Sequence, residues 1–139
     1  MATSPFHYAF KVRDLGSTRK FYGEILGCRE GRSSDSWIDF DFFGHQLSAH
    51  IGQMPKKLDY CGSVDGISVP IPHFGCLLSK EQFAEVKHRL ESAGVEFIVK
   101  PYQRYEGQAG EQSTMFVLDF SGNPLEFKSF ADNSEVYSG

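Results

Sequence analysis

Three side chains of this 139-residue chain could together grip a cation: His7, His73 and Glu126. His7 lies at the start of "FHYAFKV", His73 at the start of "HFGCLLS", and Glu126 inside "PLEFKSF". All three stretches read as β-strands, in which successive side chains point to opposite faces. In the first, the bulky Phe6, Tyr8, Phe10 and Val12 share a face, which leaves His7 on the other with Ala9 and Lys11. In the second, Phe74, Cys76 and Leu78 set His73 apart in the same way. In the third, Leu125 and Phe127 face the core and Glu126 and Lys128 face away. Two imidazoles and one carboxylate with open positions beside them form the facial set used for non-haem Fe(II). Mn, Ni, Co or Zn could occupy the same donors. A single strand histidine is ordinarily just a surface residue. The placement of one histidine at the same point of two similar segments is something that packing alone does not require.

The elements that must position these residues repeat. "DFFGHQLSAH" (41–50) and "DFSGNPLEFK" (119–128) share Asp, Phe, Gly and Leu at matching offsets, with Ser48 where the second copy has Glu126. His73 minus His7 is 66 and Gly94 minus Gly27 is 67, whereas Asp119 minus Asp41 is 78. The growth of 11 matches a polar loop over 100–113 that the first copy lacks. Asp14 predicts the N-cap of a helix across "STRKFYGEIL" ended by Gly27, and "SKEQ" at Ser79 predicts a capping box for a second helix ended by Gly94. Each half therefore reads as βαβββ, with its first-half strands near 6–12, 28–33, 36–42 and 45–51, and its second-half strands near 72–78, 95–99, 114–120 and 124–130. The predicted organisation is one α+β domain: module one at 5–54, a linker at 55–71, module two at 72–130 and a tail at 131–139, with the sheets curling into a mixed cup. A repeated period of this length in two copies points to a duplicated module.

Composition excludes several classes. A net charge of −4, a pI near 5.7 and no basic cluster beyond Lys56-Lys57 argue against nucleic acid as a partner. No apolar run reaches the roughly 20 residues that span a bilayer, so no membrane partner is expected. The start "MATSPFHYAF" lacks the basic region and long apolar stretch of a secretory leader. Cys28, Cys61 and Cys76 cannot all pair within one chain and form no CxxC, so a reduced, cytoplasmic setting is expected. Cys76 reads as a buried small hydrophobe and Cys61 as a loop residue.

Further residues gather around the predicted triad. In 45–51, Leu47, Ala49 and Ile51 face inward, which leaves Gln46, Ser48 and His50 on the face of His7. His50 is the candidate acid–base catalyst, because imidazole titrates near neutrality. Tyr102, Arg104 and Tyr105 fall in the predicted 100–113 loop, which could fold over the cup as a lid. Arg104 could hold a carboxylate or phosphate of a substrate, and Tyr105 is a second catalytic candidate. Lys128 shares the face of Glu126, and Gln46, Ser48, Tyr102, Arg104 and Lys128 are the candidate substrate-binding residues. His45 and His88 read as solvated.

The paired modules, the histidine opening each, "VRDLGSTRKFYGEILG" and "FVLDFSGNPLEF" together resemble the vicinal oxygen chelate superfamily of glyoxalases, bleomycin-resistance proteins and extradiol dioxygenases, over about residues 5–130. The resemblance implies metal ligands at His7, His73 and Glu126. It also implies a small chelating substrate held through adjacent oxygens, and frequently a homodimer whose sites can be shared between chains. The fourth, glutamate ligand of glyoxalase I falls on Ser48, a poor substitute, so a three-ligand, dioxygenase-like or thiol-transferase-like site is expected, with lyase or isomerase chemistry as the redox-inert counterpart. Gln46 and His50 could support such a site from close by. The bleomycin-binding members suggest the alternative of a metal-free protein that sequesters a drug or aromatic ligand. A sensing or scaffolding metal protein is a third reading.

Overall fold

Alternation of apolar and polar residues builds most of the strands, and a computed structural model of the chain describes residues 4–137. The final two positions of the predicted 131–139 tail lie outside the described residues. The chain divides into two units. One runs to Lys57 and includes the distant turn Asp119–Asn123; the other runs from Leu58 to Leu118 and resumes at Pro124.

In the first unit, β1 (His7–Val12) buries Phe10 and Val12 and exposes His7, Ala9 and Lys11. Asp14 caps α1 (Leu15–Thr18) by accepting from the Ser17 amide at 2.7 Å. The predicted single helix does not continue as an α-helix: Arg19–Ile25 is a π-helical segment. There the Leu26 amide donates to the carbonyl of Phe21, five residues back, at 3.0 Å. The consecutive Phe21 and Tyr22 in this segment are both fully buried. Gly27 then takes the left-handed conformation (φ 77°) expected just past a helix end. β2 (Arg29–Ser33), β3 (Trp37–Phe42) and β4 (His45–Ile51) complete a sheet ordered β1-β4-β3-β2, with β1 parallel to β4. The Asp119–Asn123 turn is knitted into this unit. Asp119 accepts from the Tyr22 hydroxyl at 2.7 Å, the Asn123 side chain donates to the Lys11 carbonyl at 2.8 Å, and the Arg13 amide donates to the Ser121 hydroxyl at 2.9 Å.

The second unit holds a hairpin that the sequence reading assigned to a linker: β5 (Gly62–Val64) and β6 (Ile67–Val69). Its turn is Asp65-Gly66, both at positive φ (51° and 81°), the dipeptide favoured in tight hairpins. β7 (Phe74–Leu77) begins one residue after His73. α2 (Lys80–Ser92) starts on the predicted capping box of Ser79 and Gln82 and buries Phe83, Val86 and Leu90. β8 (Phe97–Arg104), β9 (Gln112–Leu118) and β10 (Pro124–Phe130) give a second sheet ordered β7-β10-β9-β8, with β7 parallel to β10. Tyr102 and Arg104 thus belong to a strand and not to the predicted 100–113 loop. β8 is an edge strand, so Pro101 interrupts no central ladder. Both units repeat the βαβββ order, and the fold is α+β with two four-stranded mixed sheets. No helix among the described residues is long and apolar enough to cross a membrane.

Candidate functional site

Strand register decides which side chains meet. In the second sheet Glu126 pairs with Phe116 on one side and Gly75 on the other, while Thr114 pairs with Lys128. These residues share one face, opposite Leu125, Phe127, Met115 and Val117, which are fully buried. A Cβ on Gly75 would collide with the Glu126 carbonyl, so glycine there lets β7 lie close against β10. His73, just before β7, brings its Nε2 to 3.2 Å from Glu126 Oε1. Its ring also packs edge-on against Phe116 with centroids 5.0 Å apart.

Each member of this pair is fixed by a second partner. His73 Nδ1 lies 2.8 Å from the Pro70 carbonyl, which can only accept, so Nδ1 carries a proton. Glu126 Oε2 accepts from the Thr114 hydroxyl at 2.6 Å. Glu126 is 7% exposed and Lys128 Nζ stands 4.0 Å from its Oε1. The bond to Glu126 raises the His73 pKa, against the opposing effect of burial. Burial pushes the Glu126 carboxyl up, but the bonds from His73 and Thr114 and the charge of Lys128 outweigh it and leave the pKa lowered. A pocket of about 200 Å³ lined by His73, Gly75, Cys76, Leu77, Glu126 and Lys128 opens over the pair. Cys76 is half-buried there, less enclosed than the sequence suggested, while Cys61 is exposed.

In the first unit His7 pairs with Gln46, Ala9 with Ser48 and Lys11 with His50 across β1 and β4, so the predicted face exists. His7 Nδ1 lies 2.9 Å from Gln46 Oε1. Ser48 is buried and donates to Asp39 Oδ1 at 2.7 Å. Asp39, 8% exposed, sits directly across from Ser48 on β3. The first module therefore has a carboxylate after all, one strand over: Asp39 on β3 with a hydroxyl on β4, against Glu126 on β10 with a hydroxyl on β9. Alternation in "WIDFDF" could have revealed it, since Asp39 and Asp41 fall opposite the buried Ile38, Phe40 and Phe42. Thr114 and Pro70 gave no such signal, because only the strand register and the chain path bring them to Glu126 and His73. His50 is exposed and stacks beside Trp37 with centroids 6.4 Å apart. His45 opens β4 and is half-buried, not simply solvated: its Nδ1 accepts from the Phe6 amide at 2.7 Å.

The predicted lid residues form a different group within the second unit. Arg104 Nε and Nη2 donate to Asp65 at 2.8 and 3.3 Å, and the Tyr102 hydroxyl donates to Asp65 Oδ2 at 2.7 Å. Arg104 also lies over the Tyr105 ring, 4.9 Å from its centroid, and donates to the Tyr105 hydroxyl at 3.1 Å. This cluster ties the turn of the β5–β6 hairpin to the edge strand. Burial, with help from Asp65, pushes the Tyr102 phenol up to about 12.

Among the described residues no three His, Cys, Asp or Glu side chains stand arranged to hold a metal ion. The donor chemistry of the His73–Glu126 pair nevertheless fits one: with Nδ1 held by Pro70, loss of the Nε2 proton would leave a lone pair and a carboxylate oxygen facing the same point. His7, the third predicted ligand, belongs to the other unit.

Comparison with known proteins matches this architecture. A glyoxalase/bleomycin resistance protein/dioxygenase from Alicyclobacillus acidocaldarius is 32% identical, with 97% of each chain covered and a TM-score of 0.79. A glyoxalase/dioxygenase from Nostoc punctiforme (16% identity, 94% and 92% coverage, TM-score 0.70) shares the fold. So does the fosfomycin resistance protein FosX from Listeria monocytogenes in complex with Mn(II) and sulfate (21% identity, 93% and 91% coverage, TM-score 0.67). The sequence model of the Glyoxalase/Bleomycin resistance protein/Dioxygenase superfamily matches residues 4–127. On that match, with the duplicated βαβββ fold, the chain belongs to this superfamily.

Proposed function

We propose that the chain is a metal-dependent enzyme acting on a small chelating substrate, with His7, His73 and Glu126 as the three protein ligands of one divalent ion. The observation that carries this reading is the His73–Glu126 pair: an imidazole and a buried carboxylate at 3.2 Å, each pinned by a separate partner. With the Pro70 carbonyl occupying Nδ1, Nε2 is the nitrogen left to act as a ligand, the arrangement a metal-bound histidine uses. The Mn(II) in FosX supports the choice of a divalent ion, of which Fe, Mn, Ni and Zn are the candidates.

When bound, such an ion supplies Lewis-acid stabilisation of negative charge on a substrate oxygen. The chain's own residues then divide the remaining tasks. Glu126 lowers the charge of the centre and is held in place by Thr114. Lys128 places a positive charge beside Glu126 and suits an anionic substituent. His50, exposed on the face of His7, is the candidate for moving protons. Arg104 and Tyr102 are engaged by Asp65, so they meet a substrate only if its anionic group replaces that carboxylate; Tyr105 follows Arg104. The third ligand, His7, comes from the same chain or from a second copy in a homodimer.

Metal analysis of protein purified without chelator or nickel resin tests the reading, repeated on His7→Ala and His73→Ala. Near-stoichiometric metal in the wild type, lost in both variants, is the expected result. Mixing the two variants restores part of the binding if sites are shared between chains and none if they are not. Absence of metal, with tight binding of an aromatic drug, would identify a sequestering protein instead.

A further inference from the structure

We propose that Asp39 is a positioning residue for His7, acting through Gln46. Gln46 bridges the two: Nε2 donates to Asp39 Oδ2 at 3.4 Å while Oε1 faces His7 Nδ1 at 2.9 Å. A primary amide can turn over and exchange its donor and acceptor ends, so alone it would accept either ring tautomer. A carboxylate has only acceptor sites, so Asp39 dictates which end of Gln46 it receives. With Nε2 drawn to Asp39, the oxygen must face His7. The ring then has to present N–H at Nδ1, which leaves the Nε2 lone pair available.

The carboxylate is itself fixed. Asp39 Oδ1 accepts from the buried Ser48 hydroxyl at 2.7 Å, and Asp39 is 8% exposed. The chain Ser48–Asp39–Gln46–His7 runs through three neighbouring strands, β4, β3 and β1, in direct register: Asp39 opposite Ser48, Gln46 opposite His7. The second module reaches the same tautomer by a shorter route, the Pro70 carbonyl on His73 Nδ1. Two unrelated devices impose one outcome on the two histidines that open the modules, and hydrogen bonding for fold stability gives no reason for that agreement. The inference rests on the reading of His7 as a ligand only for its purpose; the tautomer itself is a property of the metal-free chain.

The experiment reads the ring nitrogens directly. Nitrogen-15 NMR of metal-free protein, above the titration range of imidazole, assigns the His7 tautomer, with His7→Gln identifying its signals. Wild type is expected to show the Nδ1–H form. Asp39→Asn, whose side-chain amide can donate as well as accept, should yield a mixture with the Nε2–H form. It should also weaken divalent-metal binding about 10- to 100-fold by calorimetric titration with the metal alone. Adding Gln46→Glu to Asp39→Asn places an acceptor-only group against His7 and should restore the Nδ1–H form. Gln46→Ala, at an exposed position, should lose the tautomer preference without threatening the fold. An unchanged Nδ1–H signal in both Asp39→Asn and Gln46→Ala overturns the proposal, even if stability falls. If the tautomer responds but wild type binds no metal, the positioning role stands and the ligand reading of His7 falls.

Discussion

Replacing Glu126 with Gln in metal-free protein separates charge from shape at the centre of the second sheet. The amide keeps the size of the side chain and can still accept from Thr114, so the loss is the charge-assisted part of the contact with His73. Removing one partner of a fully buried pair costs about 3–5 kcal/mol, but His73 is 21% exposed, so about 2 kcal/mol is the reasonable figure. The sign follows from both groups. His73 has a raised pKa, so its contribution is complete below its ordinary value of 6.5 and fades as pH rises through the folded-state value. Glu126 has a lowered pKa, so its contribution is complete above its ordinary 4.5 and fades as pH falls through the folded-state value. The two overlap fully between those pH values. Urea unfolding with chelator present should therefore show Glu126→Gln about 2 kcal/mol less stable near pH 5.5, a shift of several degrees in Tm. As pH rises through the folded-state value of His73 and the ring loses its charge, the deficit should shrink. A deficit that stays constant or grows as pH rises across the histidine titration would refute the reasoning, because the interaction would then not depend on a proton shared by these two groups.

Thr114→Val deletes the hydroxyl that Glu126 accepts at 2.6 Å in a fully buried position; a loss of about 1–3 kcal/mol is expected in denaturant melts. Gly75→Ala drives a methyl into the Glu126 carbonyl and should prevent β7 from pairing with β10, seen as loss of cooperative unfolding by circular dichroism. Asp65→Asn removes a charge that helps hold the Tyr102 phenol at about 12, so spectrophotometric titration should find that phenol ionising at lower pH.

Much of this was legible because the decisive signals were local. Alternation placed His7 and Glu126 on their strand faces, while His73 lies one residue before β7 and not within the expected strand, and Asp14, Ser79, Gly27 and Gly94 marked the helix ends where the structure has them. β8 was cut short at 99 because its continuation, "KPYQR", is polar and contains proline, as an edge strand can be. The hairpin at Gly62–Val69 was missed although Asp65-Gly66 announces it, since its strands are only three residues each and too short to alternate visibly. The π-helical turn has no marker in "RKFYGEI" beyond two adjacent aromatics that both need burial. The partners of the site residues, Pro70, Thr114 and Asp39, meet them through register or chain path.

The Tyr22–Asp119 bond bears on the history a duplicated chain invites. The first module is not a continuous segment: its buried phenol is satisfied by a pentapeptide encoded in the second repeat. A gene trimmed to residues 1–57 would leave that hydroxyl stranded in an apolar interior, and splitting the chain in the 52–71 region would yield one half that cannot complete itself. In this chain the folding of the first repeat is therefore tied to a turn written more than sixty residues after that repeat ends.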